Sequence, residues 1–412
     1  MQPLPVHVVE RVVRESYGRL LAILAVQVRD VNLAEDALSD ALTQGLAQWP
    51  SSGVPLNPEA WLLTVARRRV VDQARHARVV EGASERLLLS LDELQERPET
   101  RGEFPDERLK LMYVCAHPAI DEPARAPLML QTVLGLDAER IASAFLVAPA
   151  AMSQRLVRAK SKIRDAGVGF DLPKEDQISE RTTFVLQAIY AAYTLGRDDP
   201  NETKTSLDGV SAEAIWLARL VVELLPNDPE TMGLLALLLF CESRRSASRA
   251  GERKVFVPLS EQDCSHWSEP LMSEAEAWLR RAGGMNNHGR FQLEAAIQAV
   301  HADRRRTKKT DWQAIRTLYD GLIARAPSIG ALVSRAVAIS EIEGAAAGLR
   351  ELDQFNAKDV VGYQPYWAVR ATLLADCRET EAALIAYTAA IRLCSDPVIS
   401  TYLQSKKNRI AQ

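Results

Sequence analysis

Between Pro149 and Arg164 the chain carries five cations, Arg155, Arg158, Lys160, Lys162 and Arg164, and no acid. Ser153 and Gln154 precede them. These residue types read nucleic acid. Arginine meets guanine with two donors, glutamine pairs with adenine, serine serves either base, and lysine or arginine grips phosphate. A second cationic set, Arg67, Arg68, Arg69, Arg75 and Arg78, follows Trp61, with His76 among them and Asp72 as the one acid between 60 and 78. Arginines beside an aromatic suit a melted strand, whose bases stack and whose phosphates pair. Upstream, Glu35, Asp36, Ser39 and Asp40 form an acidic set fitted to a basic partner helix. A plain solvated helix face has the same composition.

Other chemistry finds less support. His117, His266, His288 and His301 stand singly, and there is no HExxH, P-loop or glycine-rich phosphate loop, so catalysis is not expected. Cys115 and His117 have a metal-like spacing, but with no second pair nearby the thiol reads as buried; no metal and no cofactor are expected. Five scattered cysteines, odd in number and without a CxxC pair, point to a reducing cytoplasm. The net charge of −4 over 412 residues excludes coating of nucleic acid by bulk charge, though not local basic helices. No apolar run approaches the ~20 residues of a membrane helix, and the N-terminus lacks a secretory pattern.

The elements that must hold these side chains are helical. Leu20, Leu21, Leu24 and Val28 form one stripe, and Ile215, Leu217, Leu220 and Leu224 another. The expected fold is all-α. In 137–164, Asp137 caps a short helix buried through Ile141, Ala142 and Phe145; 146–148 is a tight link, and Pro149 suits the first turn of a second helix. Met152, Leu156, Ala159 and Ile163 make that helix's core stripe, which turns Ser153, Gln154 and all five cations outward. This is the pattern of a helix-turn-helix with its recognition helix. In 57–78, Asn57 caps, Pro58 and Glu59 open the helix, and Trp61, Leu62, Val65, Val70 and Ala74 can face a core. Residues 34–50 form an amphipathic helix. Residues 81–105 carry seven acids against three arginines, plus Pro98, Gly102 and Pro105, and read as an extended acidic linker.

In this order, an acidic AEDALSDA helix, NPEAWLLTVARRRVVDQARH, a linker and a cationic helix-turn-helix resemble the ECF-type sigma factors of bacterial RNA polymerase. DERLKLMYVCAHPAI and IASAFLVAPAAMSQRLVRAKSKIRDAGVGF are similar to one subgroup with a tetratricopeptide-like helical extension, as are GRFQLEAAIQAVHADRRRTKKTDWQAIRTLYDGLIARAPS and GYQPYWAVRATLLADCRETEAALIAYTAAIRL. The resemblance implies region two at 1–80, the linker at 81–105, region four at 106–170 and the extension at 178–412. It further implies docking of Glu35, Asp36, Ser39 and Asp40 on the β′ clamp helices of core RNA polymerase, with the β flap as a second contact. Trp61, Arg67, Arg68, Arg69, Arg75 and Arg78 would open the −10 promoter element. Ser153, Gln154, Arg155, Arg158, Lys160, Lys162 and Arg164 would hold the −35 element. Two departures stand out: Ser39 and Leu42 replace the family's Gln and Phe, and Ala150 and Ala151 open the recognition helix without a base-reading group. A DNA-binding repressor would use the same helix-turn-helix but would need neither the docking helix nor the Trp61–Arg78 segment.

In 364–397, Trp367, Ala371, Leu374, Ala383, Tyr387 and Ala390 fall on the core positions of a 34-residue tetratricopeptide template. Such helix pairs bury their faces by stacking on neighbours, and the resulting groove suits a protein partner. Residues 244–266 break the pattern and read as a loop. The run Arg304, Arg305, Arg306, Lys308, Lys309 reads as a solvated inter-helix segment or a nucleic-acid contact.

Overall fold

The computed structural model describes residues 5–81, 106–145, 147–170, 173, 175–198, 209–250 and 255–412. The expected all-α fold is found. Among these residues the exception is a two-residue antiparallel ribbon pairing Arg249–Ala250 (β1) with Val255–Phe256 (β2). The chain divides into two compact units, Met1–Leu224 and Leu225–Gln412. The expected linker, 82–105 in particular, lies outside the described residues.

The first unit opens with α1 (Pro5–Val28), α2 (Val31–Ser52) and α3 (Pro58–Glu81), packed on one another. Leu20, Leu21 and Leu24 are fully buried. Asp30 caps α2 by accepting from the Leu33 amide at 3.1 Å, and Asn57 caps α3 by accepting from the Ala60 amide at 3.0 Å. Four helices follow: α4 (Glu107–Cys115), α5 (Glu122–Leu134), α6 (Ala138–Ala144) and α7 (Pro149–Asp165). Asp137 caps α6 through the Arg140 amide at 2.8 Å. Pro149 opens α7, where its missing N–H leaves no bond unmade. Met152, Leu156, Ala159 and Ile163 are buried as the spacing predicts.

The three-helix group and the α4–α7 group share a core. Helix α1 packs on both α4 and α5. It comes so close at Gly18 that a Cβ there would collide with the Val133 carbonyl oxygen of α5. Glycine is required at that crossing because two backbones meet.

Two more helices, α8 (Glu175–Asp198) and α9 (Val210–Leu224), close the unit. The expected start of the extension, residue 178, therefore falls inside α8, and the break in compactness comes after Leu224. The reason lies in what α8 and α9 bury. Val185, Ala188, Ile189 and Ala192 are in the core, the Thr182 and Tyr113 hydroxyls hydrogen-bond at 2.8 Å, and Arg125 stacks on Phe184. On α9, Arg108 of α4 stacks over Trp216 and pairs with Glu213, whose carboxyl is pushed up by burial.

In the second unit successive helices pack on one another: α10 (Pro229–Ser243), α11 (Glu269–Gly283), α12 (Arg290–Thr307), α13 (Trp312–Arg325), α14 (Ile329–Glu343) and α15 (Ala345–Leu352), then, past a single turn, α16 (Ala357–Val360), α15 packs on α17 (Gln364–Asp376), which is followed by α18 (Thr380–Leu393) and α19 (Pro397–Ile410). Ala371, Leu374, Ala383, Tyr387 and Ala390 occupy the core that the 34-residue spacing assigned to them, and Trp367 packs against it. The 244–266 segment breaks the helical run as expected, forming short 3₁₀ turns and the β1–β2 ribbon.

Candidate nucleic-acid and partner interface

Helix α7 packs on α5 and α6, with Phe145 capping the end of α6 and Ala148 preceding the start of α7. Its outward face presents Ser153, Gln154 and Arg158, all exposed. The Ser153 hydroxyl donates back to the Pro149 carbonyl at 3.1 Å, and Arg158 Nε donates to the Gln154 carbonyl at 3.3 Å. Arg155, half-buried, donates to the Pro123 carbonyl at 3.3 Å. Lys162 pairs with Asp121 at 3.1 Å and Arg164 with its neighbour Asp165 at 3.2 Å, in exposed pairs that a phosphate can displace.

Lys160 departs from the expectation. It is buried rather than outward, and Nζ contacts both carboxylate oxygens of Glu35 on α2, at 2.7 and 2.6 Å. The reason is helical phase. Residue 160 adjoins the buried stripe of Leu156, Ala159 and Ile163, so its stem follows the core and its ammonium emerges against α2. A cation read from sequence as a phosphate contact is thereby joined to an acid read as a docking contact. Val157, on the other hand, is 64% exposed amid Ser153, Gln154 and Arg158. Composition alone does not mark it, yet an exposed methyl-bearing side chain on such a face suits a thymine methyl.

The acidic face of α2 is divided. Asp36 and Ser39 are exposed. Glu35 is held by Lys160, and Asp40 lies 3.9 Å from Arg69 of α3. Tyr17 of α1 sits beside this cluster, and burial together with the Glu35 and Asp36 charges pushes its hydroxyl up to about 12. On α3, Trp61 is half-buried with its ring edge-on to Trp49 at 5.4 Å between centroids, so one aromatic flank is already used. Arg67 donates to Gln27 at 3.1 Å, while Arg68 and Arg69 are exposed. Arg75 and Arg78 belong to α3, but their side chains lie outside the described residues.

Cys115 and His117 do not converge. The Cys115 thiol is buried against the Thr132 hydroxyl at 3.6 Å and is pushed up to about 12 by burial, whereas His117 Nδ1 accepts from the Ala119 amide at 3.1 Å. Among the described residues no group of three or more His, Cys, Asp or Glu is placed to hold a metal. No helix among them is long and apolar enough to cross a membrane. The five cysteines are free thiols.

Residues 181–283 match the model of a family of unknown function, DUF6596. Over 391 residues the chain is 36% identical to an uncharacterised protein of Rhizobium meliloti (strain 1021), an alignment covering 93% of this chain and 91% of that one. The chain belongs to that protein's family. No solved structure matches it. The DUF6596 segment begins at Arg181 of α8, whose guanidinium donates to the Tyr113 carbonyl at 3.2 Å, and ends at Gly283 of α11. It thus leaves out α2, α3 and α7, on which the candidate interface is built.

The basic run at 304–309 is put to structural use. Arg304 donates to the Ser260 and Gln262 carbonyls at 3.1 and 2.9 Å and stacks over Trp267. Arg305 pairs with Glu269 and Arg306 with Asp303.

Proposed function

We propose that the chain is a promoter-recognition subunit of bacterial RNA polymerase, of the ECF sigma type, and not an enzyme. The observation that carries this reading is the outward face of α7: Ser153, Gln154, Val157 and Arg158 together on the second helix of a helix-turn-helix. The exposed Asp36 and Ser39 of α2 and the arginines of α3 supply the second and third surfaces such a subunit needs.

In this reading the compact first unit is a resting form. Promoter elements at −35 and −10 are about 25 base pairs apart, on the order of 80 Å of duplex. A Lys160–Glu35 contact of 2.6 Å ties α7 directly to α2, so reading both elements requires α7 to leave α2. Core polymerase would drive that separation by competing for Glu35 and Asp40, as a partner that binds one conformer shifts the population toward it. The second unit would serve as a partner- or ligand-responsive extension in the cytoplasm.

The test is capture of purified core polymerase by the full chain, followed by transcription from genomic DNA. New start sites that depend on the chain, and are lost with Arg158→Ala, support the proposal. The shared core of the α1–α3 and α4–α7 groups favours one second reading, a repressor that binds DNA as a single compact body. That reading requires tight, sequence-specific binding without polymerase and no polymerase capture.

A further inference from the structure

The second unit contains a cavity of about 770 Å³, walled by α14, α17 and α19 and flanked by the segment just after β2. This lies within the roughly 300–1,000 Å³ typical of small-molecule sites. The cavity is open to solvent on one side, and the 255–262 segment lies along its border, contributing Phe256 and Pro258 to the lining. Phe256 meets Tyr402 of α19 edge-on at 5.4 Å between centroids, and Arg249 of β1 pairs with Asp396 at 2.7 Å. Arg304 holds the far side of the 255–262 segment through the Ser260 and Gln262 carbonyls.

The walls are largely apolar, with Val369, Leu373, Ile399 and Tyr402 among them. Two carboxylates stand at the exposed edge of the lining, Glu341 at the end of α14 and Asp376 at the end of α17. Among the described residues neither meets a cation, although most acids around them do: Asp320 and Glu351 share Arg335, Asp353 holds Arg370, and Glu343 holds Arg316. The one cation in the lining, Lys406, is answered by Glu261 at 3.5 Å and lies over the Tyr402 ring. An apolar chamber with uncompensated negative charge at its edge, and aromatic rings within it, is complementary to a small organic cation.

We propose that this chamber binds a small amphipathic cation, an apolar or aromatic body bearing an ammonium-type head, with Glu341 and Asp376 facing the head and the 255–262 segment bordering the body. The proposal is independent of the promoter reading and places a chemical ligand where stacked helices alone would suggest a protein partner.

The experiment is fluorescence titration of the full chain with two dyes of similar size and opposite charge, cationic thioflavin T and anionic 1-anilinonaphthalene-8-sulfonate. Saturable thioflavin T binding is expected, with little for the anion. Glu341→Gln with Asp376→Asn, both at exposed positions, should weaken it by roughly 2- to 30-fold, the range for two exposed charge pairs. Ala368→Trp, which fills the chamber from α17, should abolish it, with the melting temperature reporting that the variant is folded. Equal affinity for both dyes, unchanged affinity in the double variant, or binding that survives Ala368→Trp in a folded protein would overturn the proposal. Displacement of thioflavin T by an uncharged apolar peptide as effectively as by a small amine would also overturn it.

Discussion

The Lys160–Glu35 pair offers the sharpest test of how the first unit is held. Its two nitrogen–oxygen contacts are 2.6 and 2.7 Å, and the side chains are only 10% and 21% exposed. Exposed pairs are worth about 0.2–1 kcal/mol, while removing one partner of a fully buried pair costs about 3–5 kcal/mol. The geometry places this pair between the two, with an expected coupling energy of about 1.5–3 kcal/mol. A double-mutant cycle with Lys160→Met, Glu35→Gln and both together isolates that quantity. Because the chain has two compact units, a single global unfolding curve is the wrong readout. Amide hydrogen exchange across α2 and α7 reports the local opening free energy instead. A coupling below about 0.5 kcal/mol would refute the claim that this pair fastens α7 to α2. The functional counterpart is opposite in sign to an ordinary loss of a basic residue: Lys160→Met releases Glu35 and should strengthen capture of core polymerase. Weaker capture would show that Lys160 acts outside the clasp.

Three further outcomes are expected. Gly18→Ala should destabilise the α1–α5 crossing by about 1–3 kcal/mol, since the added methyl meets the Val133 backbone rather than a yielding side chain, and faster hydrogen exchange in both helices would register it. His301, edge-on to Trp312 at 5.6 Å, is pushed down to about 4 by burial first and by the Arg244 and Arg304 charges next. Its folded value lies below the unfolded value of about 6.5, so the unfolded chain binds the extra proton between them; stability of the second unit is full above pH 6.5 and falls by up to about 3 kcal/mol as pH drops to 4. His301→Phe should flatten that slope in pH-dependent denaturation, and an unchanged slope would assign it to other groups. In DNA titrations, Arg158→Ala should reduce the salt slope by about 0.9, whereas Lys160→Met should leave it unaltered; equal losses would place Lys160 on phosphate.

Local order was legible in the residues wherever it depends on near neighbours. Asp137, Asn57 and Pro149 mark helix starts because capping and proline geometry are settled within one turn. The Met152–Ile163 stripe and the spacing from Ala371 to Ala390 predict burial because a helix repeats its faces regularly. The course of Lys160 is not legible in the sequence because a residue at the edge of such a stripe has two courses open to it, and the partner 125 positions away decides between them. Val157 is not marked by the sequence because an apolar residue among polar ones carries no signal until its exposure is known.

The all-helical character, the short-helix, long-helix succession of α6 and α7 and the three charged sets follow from the amino-acid order alone, since they rest on periodicity, caps and local charge. Tertiary structure alone decided that α1 serves two helical groups through Gly18, that α8 and α9 join the first unit, and that Phe256 and Pro258 border a cavity lined by α14, α17 and α19. Each of those outcomes depends on contacts between segments far apart in the chain. No local periodicity encodes them, because the free energy that selects them is gained only when distant surfaces meet.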